Sequence, residues 1–143
     1  MKISSLETRH LPTVVAALAV VPGVRQRDAD SLPALERYLL RNPNLSVIAY
    51  MGRSLAGFVL SGHDGRRGYL NHLIVLPEFR RRGVATRLVE SALDRLHKAG
   101  ISKAHVDVLE ENDVAQAFWS QAGWQQRDDI HRFSVVISGG VNA

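Results

Sequence analysis

The sequence predicts an α/β protein: one mixed sheet with helices on both faces, its elements ordered β-α-α-β-β-β-α-β-α-β. Three observations predict it. Short β-rich runs bounded by turn residues alternate with helix-length stretches of helical periodicity. The two later helical stretches each end on a glycine, which supplies a left-handed stop. Hydrophobic residues make up 45% and charged residues 22% of 143, the mix of one domain with a core to bury. No repeat, linker or low-complexity tract interrupts the chain, so residues 1–143 are expected to form a single domain.

In order, KISSLE (2–7) suits a first strand, and RHLPTVVAALAV (9–20) a first helix with Thr8 as cap and Pro12 in its first turn. The apolar run 11–24 is shorter than the roughly 20 residues a membrane span needs, so it reads as a buried helix. A polar loop, 21–30, follows. Ser31 caps a second helix whose apolar face carries Leu32, Leu35, Tyr38 and Leu39. LSVIAY (45–50) and LAGFVLSGH (55–63) form a hairpin, and YLNHLIVL (69–76) a third run of strand ended by Pro77. Val84 to Lys98 is the best helix, with Leu88, Val89, Ala92, Leu93 and Leu96 as its stripe and Gly100 as its stop. KAHVDVL (103–109) is a strand; Asn112 or Asp113 caps a helix closed by Gly123. HRFSVVIS (131–138) is the final strand, with room for a short extra one near 124–128.

Composition removes several functions. Without cysteine there is neither a disulfide framework nor a thiolate metal site, and the histidines show no metal-ligand spacing, so no metal is expected. With no spanning segment, the expected location is cytoplasmic and no membrane partner is implied. A net charge of +4 fits an anionic ligand such as a nucleotide. Nucleic-acid binding usually wants a broader basic face with interleaved aromatics, and only 6% of residues are aromatic.

The charge has a focus. LPEFRRRGVATRLVE (76–90) sets Arg80, Arg81 and Arg82 where a strand passes into a helix. A helix start presents free N–H groups and partial positive charge, so it binds anions. Gly83 lets the backbone turn and a ligand come close, and Ala85 keeps the approach free of bulk. A solvated basic turn is the plain alternative, but the flanking strand, Pro77 and strong helix favour an anion cradle.

VLPEFRRRGVATRLV resembles the acetyl-coenzyme A loop of the GNAT N-acetyltransferases, whose signature is Arg/Gln-x-x-Gly-x-Gly/Ala. ENDVAQAFWSQAGWQQR (111–127) resembles that family's second signature, an Asn, an Ala, an aromatic pair and a Gly-aromatic. The opening ISSLETRHLP (3–12) is similar to the start of bacterial ribosomal-protein alanine N-acetyltransferases, and 62–83 to a small bacterial subgroup. The resemblance implies the GNAT fold, with a mostly antiparallel sheet, and acetyl transfer from acetyl-CoA to a primary amine by direct attack in a ternary complex. The acceptor would be a small molecule or a protein N-terminus or lysine, and a homodimer is compatible. A non-catalytic module on the same fold, sensing acyl-CoA or binding nucleic acid, is the alternative.

Roles follow from the resemblance residue by residue. Backbone groups of Leu73, Ile74 and Val75 would bind the thioester and pantetheine arm, between strands 69–76 and 103–109 that splay apart. Arg80, Arg81, Arg82, Gly83, Val84, Ala85 and Thr86 would cradle the diphosphate, and Asn112 would hydrogen-bond the pantetheine. Asp107 stands where relatives carry a catalytic carboxylate, and is the candidate general base; with an ordinary pKa of about 3.9 it is weak unless desolvated or acting through water. His72, Glu110 and Glu111 are substitutes. Trp119 occupies the position where many relatives have a tyrosine that protonates the leaving thiolate; an indole N–H donates a hydrogen bond but is no acid. Loops 21–30 and 61–68 would face the acceptor.

Overall fold

The computed structural model describes residues 1–22 and 24–143. Two compact units emerge, Met1–Asp107 and Val108–Ala143.

The first unit holds a five-stranded sheet in the order β1-β2-β3-β4-β5: β1 Lys2–Ser5, β2 Val47–Met51, β3 Ser54–His63, β4 Gly68–Val75 and β5 Ala104–Val106. The first three pairings are antiparallel and β4–β5 is parallel, so the sheet is mixed and mostly antiparallel, as expected. Its helices are α1 (Leu11–Val20), α2 (Leu32–Arg41) and α3 (Val84–Lys98).

β3 is buried along almost its whole length because both of its faces are covered. Ile48, Phe58, Leu60 and Ile74 pack with Leu11, Val14, Leu18, Leu35 and Leu39 of α1 and α2. The opposite parity faces α3: a Cβ at Gly57 would stand 3.3 Å from Leu88, and one at Gly68 would stand 2.8 Å from Leu96. Leu88, Val89, Ala92 and Leu96 are buried there, while Leu93 is only half-buried.

Local signals explain most boundaries. Ser31 accepts from the Ala34 N–H at 3.3 Å and caps α2 as the sequence predicts. Leu32, expected on the apolar face of α2, is exposed, because it stands in the first turn. Thr8 does not cap α1; it lies in a 3-10 turn, Thr8–His10. There the Glu7 N–H donates to His10 Nδ1 at 2.9 Å.

The second unit contains α4, Asp113–Gln121, capped by Asn112 and followed by Gly123 at φ 91°. Neither 124–128 nor 131–138 forms a strand, which corrects the expected last β of the element order. The composition of 131–138 favours a strand, but a strand exists only through a paired ladder, and none is formed. Phe133, Val135 and Ile137 are exposed.

Candidate functional site

The site begins where the sheet opens. β4 pairs with β5 only at Gly68↔Ala104, Tyr69↔His105 and Leu70↔Val106. From Asn71 to Val75 that edge of β4 has no strand beside it among the described residues. An unpaired edge leaves backbone N–H and C=O groups to meet another partner. Leu73, Ile74 and Val75 lie on this stretch. The Val75 carbonyl accepts from Arg80 Nε at 3.2 Å, which ties the end of β4 to the arginine loop.

After a 3-10 turn, Pro77–Phe79, the chain makes two left-handed turns, at Arg81 (φ 62°) and at Gly83 (φ 77°). Alternation of hand gathers successive amides into a concavity that suits an anion. Gly83 is the N-cap of α3 and carries no side chain to satisfy the amides behind it. Val84, Ala85 and Thr86 form the first turn; Val84 is buried and anchors the helix, while Thr86 is exposed. No Cβ contact would arise within 4 Å of Gly83, so the approach to these amides is open. Arg80, Arg81 and Arg82 are exposed around it, Arg82 lying 5.7 Å from the centre of the Phe79 ring.

One turn of chain earlier, β4 bulges. Phe58 pairs with Ile74 and Leu60 with Asn71, so Val59 stands opposite both His72 and Leu73. His72 adopts φ 49° inside this strand. Its Nε2 lies 2.8 Å from Oδ1 of Asp30, a buried residue in the 3-10 turn Asp28–Asp30 that leads into α2. The other carboxylate oxygen of Asp30 accepts from the Arg27 N–H at 3.0 Å.

In the second unit, Asn112 Oδ1 accepts from the Ala115 N–H at 3.0 Å, so a ligand would be met by the Nδ2 end of that amide. Trp119 is buried and packs edge-on with Phe118 and Trp124, the ring centres 5.1 and 4.6 Å away. Among the described residues no cluster of three or more potential ligands could hold a metal ion. No helix among them is long and apolar enough to cross a membrane.

Residues 13–124 match the Acetyltransferase (GNAT) family. The chain belongs to the GNAT acetyltransferase family. An acetyltransferase of Pectobacterium atrosepticum is 33% identical to it over 96 residues, 67% of this chain and 68% of that protein. Among solved structures, the aminoglycoside N-acetyltransferase AAC(6')-Iy, in complex with a CoA-linked bisubstrate analogue, superposes with a TM-score of 0.75. It is 23% identical, and the match covers 94% of this chain and 97% of that one. The ribosomal-protein-S18-alanine N-acetyltransferase from Escherichia coli gives a TM-score of 0.71 at 23% identity, covering 85% of this chain and 76% of that one.

In this GNAT acetyltransferase, Leu73 to Val75 and Arg80 to Thr86, expected at the acyl donor, follow one another in the first unit, while Asn112 and Trp119, expected there too, belong to the second. Asp107, the expected base, is exposed just beyond β5, at the end of that unit. The residue that sequence reasoning missed is Asp30. Nothing local marks it, because its partner His72 is 42 residues away and only the fold joins them.

Proposed function

We propose that this acetyltransferase moves an acetyl group from acetyl-CoA to a primary amine by direct attack in a ternary complex. One observation carries the reading: the unpaired edge of β4 runs directly into the arginine loop and the open start of α3. An extended polar arm can lie against the first, and a diphosphate fits the second. The acceptors named for the two solved neighbours, an aminoglycoside and a ribosomal-protein alanine, are both amines.

In this reading the backbone of Leu73, Ile74 and Val75 holds the thioester and pantetheine arm. The amides of Gly83 to Thr86 grip the diphosphate, with Arg80, Arg81 and Arg82 neutralising its charge. Asn112 donates from Nδ2 to the pantetheine, and the Trp119 indole N–H donates to the departing sulfur. No acid is needed there, since an alkyl thiol with a pKa of about 8.5 leaves tolerably as its anion. The amine is different: with a pKa of about 10.4 it arrives charged and must lose a proton before it can attack. Asp107, being exposed, would assist that loss only through water.

Titration with coenzyme A during thermal unfolding tests the site. A ligand bound only to the folded state at 100 times its Kd stabilises by about 2.7 kcal/mol, a clear rise in melting temperature. The rise should vanish in Gly83→Glu, which brings a carboxylate to the diphosphate position. Absence of any rise in the unsubstituted protein would overturn the proposal.

A further inference from the structure

We infer that His72, held by Asp30, is the group that takes the proton from the incoming amine; the inference rests on the acetyl-CoA site proposed above. Four observations converge on the pair. Asn44, His72 and Arg81 are the non-glycine residues with positive φ among those described, and of these His72 alone lies within a strand. Such a conformation persists only when its surroundings impose it, and it clusters at working sites. The bulge that contains it re-aims a side chain that regular pleating would have pointed elsewhere.

Second, Asp30 is fixed on both sides, by the Arg27 N–H at 3.0 Å and by His72 Nε2 at 2.8 Å. An ionised Asp30 can only accept, which in a neutral imidazole places the ring proton on Nε2 and leaves the lone pair on Nδ1. Holding an imidazole in one tautomer by a buried carboxylate is how a histidine is prepared as a base. Third, the side chains are 23% and 10% exposed, so the pair is sheltered while the ring remains open to an approaching group. Fourth, His72 directly precedes Leu73, the first residue of the stretch assigned to the thioester, and Asp30 ends the loop 21–30 expected at the acceptor. The imidazole, the stretch assigned to the thioester and the last residue of that loop therefore come together at one bulge.

The step balances. The ammonium gives one proton to Nδ1, and the imidazolium so formed is paired with Asp30. The freed lone pair bonds to the acetyl carbon, the C–S bond breaks, and CoA leaves as thiolate. The second proton on nitrogen goes to that thiolate, giving the amide and CoA thiol; His72 returns its proton to water.

Three amines serve as probes: spermidine, kanamycin and a peptide beginning with alanine, with released thiol as the readout. His72→Gln should lower kcat on any amine the protein acetylates by about 10²–10⁴, the usual contribution of a general base. Its Kd for CoA, by calorimetry, should stay within about twofold, which separates catalysis from binding. Asp30→Asn should lose turnover by a smaller factor, since it permits the wrong tautomer. In ¹⁵N spectra of histidine-labelled protein, the His72 signal, assigned by its loss in His72→Gln or by its shift in Asp30→Asn, should show Nδ1 unprotonated. Turnover in His72→Gln within about threefold of the unsubstituted protein, or a protonated Nδ1, overturns the inference. If none of the three amines is acetylated, the spectrum alone decides. Failure of the unsubstituted protein to bind CoA would instead overturn the donor site on which the inference rests.

Discussion

Gly83 separates two kinds of cost at a single residue. Its φ of 77° strains any side chain, yet a Cβ there would meet nothing within 4 Å. Gly83→Ala should therefore destabilise the fold by about 1 kcal/mol, through backbone conformation alone, and still bind CoA. Gly83→Glu carries the same strain but also a charge, so only it should abolish the CoA-induced rise in melting temperature. Urea unfolding with and without CoA checks both. Asp107→Ala makes a companion case: Asp107 is exposed, and with His72 as the base its loss should cost less than about tenfold in turnover, well below His72→Gln. The place of Gly83 at the turn into α3 was legible in the sequence, with arginines before it and a helical stripe after it. Asp30 was not legible. A carboxylate in a polar loop reads as solvent-facing until the fold buries it against a histidine 42 positions later.

At the scale of elements, the site depends on how closely β3, β4 and α3 approach. Gly57 lies opposite Val75, and a Cβ on it would overlap the Ile74 carbonyl and stand 3.3 Å from Leu88. Gly57→Ala should push β4 away from β3, costing about 1–3 kcal/mol and weakening CoA binding, since Ile74 lies on the stretch proposed to hold the donor. Chemical denaturation and calorimetry measure the two effects. The junction of β1 and α1 offers a pH test. Burial, then the charge of Arg9, holds the His10 pKa below its ordinary value against the opposing pull of Glu7. The folded state thus prefers neutral His10, whose Nδ1 accepts the Glu7 N–H. This contribution is complete above the unfolded value of about 6.5 and is lost as pH falls through the lowered folded value. The melting temperature should drop as pH falls below about 6.5, and drop less in His10→Gln, which does not titrate. Strands were legible where a hairpin fixed their partner, as for β2 and β3. The 131–138 run shows the limit: Phe133, Val135 and Ile137 suit a strand, but pairing is decided by the rest of the fold, and the run stays unpaired and exposed.

Over the whole molecule, the layering was readable because β3 could be buried on both faces only between helices, and the flanking stripes of α2 and α3 supply them. The net charge of +4 then acts on association more than on fold. Part of that charge is local: Arg80, Arg81 and Arg82 are exposed around a loop that also presents the positive end of α3. Exposed charges are screened by salt, with a Debye length near 30 Å at about 0.01 M and near 3 Å at about 1 M. Hydrogen bonds from the amides behind Gly83 and the backbone of β4, as proposed, would be directional contacts that salt weakens far less. Coenzyme A binding should therefore loosen by about three- to tenfold between about 0.02 and 0.5 M salt, and kcat at saturating donor should stay constant. A protein that used the same loop to follow a nucleic-acid backbone would behave differently, because releasing many counterions makes affinity fall by orders of magnitude over a similar range. Calorimetric titration of CoA and of a short oligonucleotide across that salt series distinguishes the two. A shallow slope for CoA with no oligonucleotide binding is the outcome that a cradle built mainly from main-chain amides requires.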